Sequence, residues 1–171
     1  MGAVRVRVGP VEDADHDTAA RVAIRALADA YAHHVDARDC EAVAALFGAE
    51  GRLIAHFHRG PDGAPVVRQG RAAIVAALVE GLARYERTTH VVGGQVLDID
   101  AGGRRARGET VCLAHHLYMR RGERRLLVMA VRYEDDYACE AGVWRFSSRQ
   151  LRLDWRDDRP LPVDGAPADG T

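Results

Sequence analysis

The fold is decided by HVVGGQVLDID (90–100), TVCLAHHLYM (110–119), RLLVMAVRYEDDY (125–137) and VWRFSSRQLRLDW (143–155), four stretches in which apolar and polar residues alternate. Short turns that contain glycine, AGGR, RRGE and CEAG, separate them. Alternation with a period of two is typical of strands with one buried face, and such turns join neighbouring strands into hairpins. The pattern predicts four consecutive antiparallel strands, curved by a bulge at Gly93 and Gly94.

Before residue 86 the apolar residues are spaced mostly as in helices. Helices followed by hairpins are the layout of an α+β domain in which one curved antiparallel sheet wraps around a long N-terminal helix. The predicted elements are a helix from Asp13 or Asp17 to about Arg38, a short helix capped by Asp39 and ended by a left-handed Gly48, a strand over 52–58, and a helix after Gly70.

The length of 171 residues indicates one domain, which we place at residues 13–155. Residues 1–12 form an N-terminal extension in this prediction. Residues 156–171, rich in Asp, Pro and Gly, are predicted to be a flexible C-terminal tail. The formal net charge of -1 does not favour a nucleic-acid partner. No long apolar run indicates a membrane partner or an export signal, and three cysteines without a CxxC pair favour a cytoplasmic location.

Composition also excludes several kinds of chemistry. All 24 basic side chains are arginine, so mechanisms that need a lysine Schiff base are excluded, pyridoxal chemistry among them. No Gly-x-Ser-x-Gly motif indicates an acyl-enzyme hydrolase. His56 and His58 share one face of the predicted strand, but no acidic or cysteine ligand follows at a recognisable metal spacing. We therefore expect no cofactor and no metal.

Candidate catalytic residues lie in YAHHVDARD (31–39), RTTHVVGG (87–94) and AHHLY (114–118). An aspartate that accepts a hydrogen bond from one imidazole nitrogen fixes the tautomer and stabilises the imidazolium, so the other nitrogen can act as general base. Asp36 and His90 could form such a pair. Asp36 could instead cap the turn into the second helix, and Tyr31 could be an ordinary packed side chain.

Strand alternation allows only one of two adjacent histidines to enter a pocket. His115 and His116 point to opposite faces, so only one can face the interior. If His116 does, then Cys112, Ala114 and Tyr118 share its face and form an apolar wall with a polar tip. The acid and oxyanion-donor roles are left open among His116, Tyr31 and Tyr133.

Four motifs resemble the SnoaL-like branch of the nuclear-transport-factor-2-like superfamily, a cone-shaped α+β fold. They are AHHVDARDCEAV (32–43), RTTHVVGG (87–94), GETVCLAHH (108–116) and GVWRF (142–146). Within that branch they are most similar to scytalone dehydratase and, more distantly, to bile-acid 7α-dehydratase. The resemblance covers nearly the whole predicted domain.

The resemblance implies roles for individual residues. Asp36 matches the orienting aspartate, His90 the catalytic histidine, His116 a second pocket histidine and Tyr31 a tyrosine of the bile-acid enzymes. The sequence departs from scytalone dehydratase at two pocket positions, with Tyr133 in place of an asparagine and Ala55 in place of a tyrosine on the early strand. These departures leave the substrate open.

The resulting expectation is a cofactor-independent dehydratase or isomerase that acts on a small hydroxy-carbonyl or polycyclic compound, polyketide-like or steroid-like, in specialised metabolism or steroid breakdown. One alternative is a polyketide cyclase or epoxide-opening cyclase, because each reaction moves protons around an enolate or oxyanion. Another is a ligand-binding or assembly module without chemistry. We also expect a homo-oligomer, a trimer or a dimer, because an open sheet has a face to cover.

Overall fold

The computed structural model describes residues 14–59 and 64–161, which form three helices and six strands. The elements are α1 (Ala14–Asp36), α2 (Cys40–Ala45), β1 (Phe47–Arg59), β2 (Pro65–Gln69), α3 (Arg71–Leu82), β3 (Arg87–Ile99), β4 (Arg105–Arg120), β5 (Glu123–Glu140) and β6 (Val143–Pro160). The predicted α+β class is confirmed.

One curved, unclosed sheet contains all six strands in the order β2-β1-β6-β5-β4-β3. The four strands predicted from alternation are the four long hairpin-linked strands, and the register between β3 and β4 shifts between Val92 and Gln95, at the predicted glycine bulge. The first strand pairs with the last in parallel, so the sheet is mixed at that point. The short strand β2 was not predicted.

The end of the helical region differs from the prediction at Gly48. This residue lies inside β1, and helix α2 ends instead at Ala45, followed by Leu46 as a C-cap in a right-handed conformation. The prediction of a left-handed stop at Gly48 is therefore wrong. A Cβ atom at Gly48 would lie 3.1 Å from Glu140 Oε1, so the glycine allows close approach rather than a turn. The predicted cap is confirmed, since Asp39 accepts a hydrogen bond from the Ala42 amide at 3.0 Å.

Arg38, just after α1, joins the helical layer to the start of the long hairpins. Its backbone is left-handed, with φ of 60°. Its guanidinium donates to the carbonyl of Leu82 at 2.7 Å and to the carbonyl of Tyr85. The end of α1 is thereby held against the chain that leads into β3.

The core lies between the concave face of the sheet and the helices. Ile24, Val43, Phe47, Ile74 and Phe146 are fully buried in one continuous apolar cluster. Strand β6 continues to Pro160, five residues past the Trp155 at which the sequence places the end of the domain. The domain boundaries stay a prediction, since residues 1–13 and 162–171 lie outside the described part of the chain. Among the described helices none is long and apolar enough to cross a membrane.

Candidate active site

A histidine–aspartate pair lies where the end of α1 meets the start of β3. His90 Nδ1 is 2.7 Å from Asp36 Oδ1, and the backbone amide of His90 donates to Asp36 Oδ2 at 2.8 Å. The hydroxyl of Thr88 donates to Oδ1, also at 2.8 Å. Because the carboxylate can only accept, Nδ1 carries the hydrogen and Nε2 keeps its lone pair. We refer to Asp36 and His90 as the dyad.

The dyad is largely shielded from water. The side chain of His90 is 8% exposed and that of Asp36 is 26% exposed. Burial raises the pKa of Asp36, but the hydrogen bonds from His90 and Thr88 outweigh it and leave that pKa below its ordinary value. The carboxylate therefore stays ionised at neutral pH, as it must to orient the imidazole.

His116 lies beside the dyad on the inner face of β4. Its ring centroid is 5.8 Å from that of His90, and the residue is 8% exposed. The pKa of His116 is lowered to about 4, mainly by burial and to a smaller extent by the neighbouring His90. His116 is thus a neutral imidazole at neutral pH. Its Nδ1 is buried and has no hydrogen-bond partner among the described residues.

As alternation predicts, Cys112 and Ala114 are buried on the same face as His116. His115 faces outward and interacts with the carbonyl of Thr89 at 3.4 Å. Tyr118 follows on the inner face, but its hydroxyl donates to Asp158 at 2.7 Å. Its proton is therefore directed along the sheet, away from the dyad.

Tyr31 lies in the core rather than in contact with the dyad. Its ring makes edge contacts with the rings of Phe47, Tyr133 and Phe146 at centroid distances of 5.8 to 6.5 Å. Burial raises the pKa of Tyr31 to about 12 and raises that of Tyr133 well above its ordinary value. Both phenols therefore remain protonated and can act only as hydrogen-bond donors or acceptors at neutral pH.

At the centre of these rings lies Arg149, whose place among them was not predicted from the sequence. Its side chain is fully buried, and its guanidinium carbon lies 4.2 to 4.3 Å from the ring centroids of Tyr31, Tyr133 and Phe146. Nε and Nη2 donate to the two carboxylate oxygens of Asp135 at 2.9 and 2.8 Å. Among the described residues, Nη1 has no partner although it is buried.

Cys112 is a buried thiol on the same face of β4 as His116. Burial raises the pKa of its thiol, a hydrogen bond with Tyr133 and the charge of Arg149 lower it, and the charge of Asp36 raises it. The interior of the domain thus holds two charged groups, the carboxylate of the dyad and the buried guanidinium of Arg149.

Several residues predicted to line a substrate pocket are tightly packed. Cys112, Ala114 and Tyr133 belong to the continuous buried cluster, and Ala55 is half-buried on β1 beside Leu151. Two hollows among the described residues lie elsewhere, one on the outer face of β3–β5 and one at the β4–β5 turn. The roles of these four residues as pocket wall stay a prediction.

Two signals in the sequence could have identified the missed residues. Thr88 is two positions before His90 on a strand, so both share a face. Arg149 is two and four positions before Leu151 and Leu153, and Asp135 is two positions from both Tyr133 and Tyr137. Each charged residue therefore shares a strand face with apolar or aromatic residues. Opposite charges at inward positions of neighbouring strands indicate a buried ion pair.

A long N-terminal helix against a curved, unclosed sheet is the architecture of SnoaL-like α+β proteins. The family model of the SnoaL-like domain matches residues 16–150, most of the chain. The chain belongs to this family. No curated protein sequence matches it.

Solved structures with the same fold come from several bacteria. A candidate scytalone dehydratase from Novosphingobium aromaticivorans is 23% identical, with a TM-score of 0.70 over 87% of this chain and 93% of that one. A hexachlorocyclohexane dehydrochlorinase from Novosphingobium barchaimii is 19% identical, with a TM-score of 0.69 over 85% and 92%. ActVI-ORFA from Streptomyces coelicolor is 19% identical, with a TM-score of 0.63 over 78% and 96%. At these identities the likeness shows the fold alone.

Proposed function

We propose that this protein is a cofactor-independent dehydratase or isomerase that uses His90 as general base on a small hydroxy-carbonyl or polycyclic substrate. The observation that carries the proposal is the 2.7 Å contact between His90 Nδ1 and Asp36 in a largely shielded site. Nε2 is then the basic atom, and the aspartate stabilises the imidazolium that forms when it takes a proton. The names of two structural neighbours, a dehydratase and a dehydrochlorinase, also describe eliminations.

In a dehydration, Nε2 of His90 removes the proton from the carbon next to the carbonyl group. The electrons of that C–H bond form the double bond as the β-hydroxyl leaves. The hydroxyl needs a proton to leave as water. His116 is a neutral imidazole, and the raised pKa values of Tyr31 and Tyr133 make both phenols poor acids. The imidazolium of His90 is therefore the acid in this scheme, and it donates the proton it has just received to the leaving hydroxyl, which departs as water.

One acid–base group for both steps has a stereochemical consequence. The hydroxyl and the abstracted proton must both lie within reach of the same Nε2 atom, so they leave from the same side of the substrate. An isomerisation uses the same atom in the same way, with the proton returned to a different carbon. The proposal thus covers dehydration and double-bond migration with one geometry.

Negative charge develops on the carbonyl oxygen during either reaction. Nη1 of Arg149 is a buried donor without a partner among the described residues, and Asp135 and three aromatic rings hold its guanidinium in place. A preorganised donor of this kind stabilises an oxyanion without reorganisation at the moment of reaction. We assign the oxyanion role to Arg149, with the Tyr31 and Tyr133 rings fixing its orientation.

The test is exchange of the proton next to the carbonyl group, which reports the base even before the natural substrate is known. A panel of β-hydroxy ketones and β-hydroxy thioesters is incubated in D2O with the protein, and deuterium uptake is followed by NMR. His90→Ala should abolish the enzymatic exchange, and Asp36→Asn should reduce it about 10³- to 10⁴-fold, since the wrong tautomer is then favoured. His115→Ala, on the outer face of the same strand as His116, is the matched control. Equal exchange by wild type and His90→Ala, or no exchange with any compound, would count against the proposal.

A further inference from the structure

A hollow of about 400 Å³ lies at the end of the β4–β5 hairpin, lined by Arg120, Arg121, Glu123 and Arg125. Residues 116, 118 and 120 alternate onto one face of β4, so Arg120 faces the same side of the sheet as His116. At about 3.3 Å per residue, Arg120 is about 13 Å along the strand from His116. The hollow is therefore on the same side of the sheet as the dyad, towards the β4–β5 turn.

A row of aromatic rings connects the two sites. The ring centroid of Tyr85 lies 4.5 Å from that of His116 and 6.3 Å from that of Tyr118. Tyr118 in turn donates its hydroxyl to Asp158, which also accepts from Arg125 Nε at 2.9 Å. An apolar substrate held at His90 can lie along these half-buried rings with its far end at the arginines.

The charges around the hollow leave a single positive excess. Arg125 is bound to Glu123 at 2.6 Å and to Asp158 at 2.9 Å. Arg120 and Arg121 form no ion pair with any residue of the described segments. Three guanidinium groups and two carboxylates leave one positive charge, which one monoanion would neutralise. Guanidinium groups bind a carboxylate through paired N–H donors.

The turn itself does not require an arginine. Arg121 and Gly122 both have positive φ, 54° and 81°, a geometry in which Asn, Asp and Gly are favoured. The β5–β6 turn has the same pair of positive φ values at Ala141 and Gly142, and its first residue is small and uncharged. The backbone conformation of the turn thus does not explain the arginine at position 121, whose guanidinium adds positive charge to the hollow.

We propose that this arginine-lined hollow binds a carboxylate at the far end of the substrate, on the same side of the sheet as the reacting carbon and about 13 Å along β4 from His116. This inference rests on the proposed function and extends it, since it defines the substrate class as a hydroxy-carbonyl compound with an apolar body and a distal carboxylate. Arg120 and Arg121 supply the free charge. Arg125, fixed by Glu123 and Asp158, holds the wall of the hollow in place.

The test measures binding of decanoate, decanol and decyl phosphate, kept below their micellar concentrations, by isothermal titration calorimetry. These probes share an apolar chain and differ in the end group. Wild type should bind decanoate at least tenfold more tightly than decanol and more tightly than decyl phosphate. The double variant Arg120→Gln/Arg121→Asn should bind decanoate about tenfold more weakly than wild type and should bind decanol with unchanged affinity. Asn is chosen at 121 because it favours the positive φ of the turn.

Arg107→Gln is the matched control, because Arg107 lies on the same strand with its side chain 80% exposed on the outer face. It should leave decanoate binding unchanged. His90→Ala should also retain decanoate binding, so the result does not depend on whether His90 is the base. Equal affinity for decanoate and decanol in wild type, a preference for decyl phosphate, or an equal loss in Arg107→Gln would each overturn the proposal.

Discussion

The buried neutral state of His116 predicts how stability depends on pH. The ordinary histidine pKa is 6.5, and in the folded protein that of His116 is lowered to about 4, by burial first and then by His90. Between these two values the unfolded chain binds a proton that the folded chain does not. A lowered pKa therefore gives stability that is present above pH 6.5 and is lost as the pH falls towards 4.

The magnitude follows from the same two values. At 1.36 kcal/mol for each pH unit between them, the full effect is about 3 kcal/mol, and about 2 kcal/mol of it should be lost between pH 7 and pH 5. The residue is 8% exposed, so little of the effect should be screened by water. His116→Leu removes the titrating group and keeps an apolar side chain in its place.

The assay is urea unfolding followed by tryptophan fluorescence at pH 5, 6 and 7, at one protein concentration. Relative to His116→Leu, the free energy of unfolding of wild type should fall by about 2 kcal/mol from pH 7 to pH 5. Groups that titrate in both proteins cancel in this difference. His115→Leu, the outward neighbour, should follow wild type. A difference between wild type and His116→Leu that is the same at all three pH values would show that the imidazole is not held neutral by burial.

Two further predictions concern the groups around the dyad and the buried ion pair. Thr88→Val removes one hydrogen bond to Asp36, which should raise the pKa of that carboxyl. The acid limb of the pH profile of the exchange rate should then move to higher pH, and exchange at pH 7 should be about tenfold slower. Thr89→Val, on the outer face of the same strand, is the control. Arg149→Met and Asp135→Leu should each lower the free energy of unfolding by about 3 to 5 kcal/mol, because each leaves an unpaired charge in the core. The double variant should have a free energy of unfolding no lower than that of either single variant. If urea unfolding shows that the two losses in free energy add in the double variant, the interpretation of Arg149 and Asp135 as a buried ion pair is wrong.

The local patterns of the sequence predicted most of the fold. Alternation located the four long strands and placed His115 and His116 on opposite faces, and the glycine pair located the Gly93–Gly94 bulge, because each of these depends on neighbouring residues only. The choice of His116 as the inward histidine came from the resemblance to the SnoaL-like branch. The parallel pairing of β1 with β6 could not be predicted this way, since it joins segments about a hundred positions apart. The mistaken role of Gly48 has a related cause, because its reason is the approach of Glu140 from a distant strand.

The candidate site was predicted less evenly than the fold. Asp36 and His90 were paired through their motifs, and the structure places them in contact, while their catalytic roles stay proposals. Tyr31 was selected with them, yet its ring belongs to the aromatic group around Arg149. Helical spacing alone could not show this, since five residues on a helix rotate by about 140° and separate Tyr31 from Asp36 around the axis.

The energetics of Arg149 give an independent reason to place it in the site. Replacing a buried ion pair by apolar side chains is often neutral or stabilising, so the Arg149–Asp135 pair is not explained by stability. A buried donor without a partner, as Nη1 is among the described residues, adds a cost of about 1 to 3 kcal/mol. The contacts with three aromatic rings recover part of that cost and, more importantly, prevent the guanidinium from turning to satisfy Nη1 elsewhere. Such a cost is justified if a substrate oxygen completes the arrangement, because the donor that destabilises the empty protein is the one that stabilises the oxyanion.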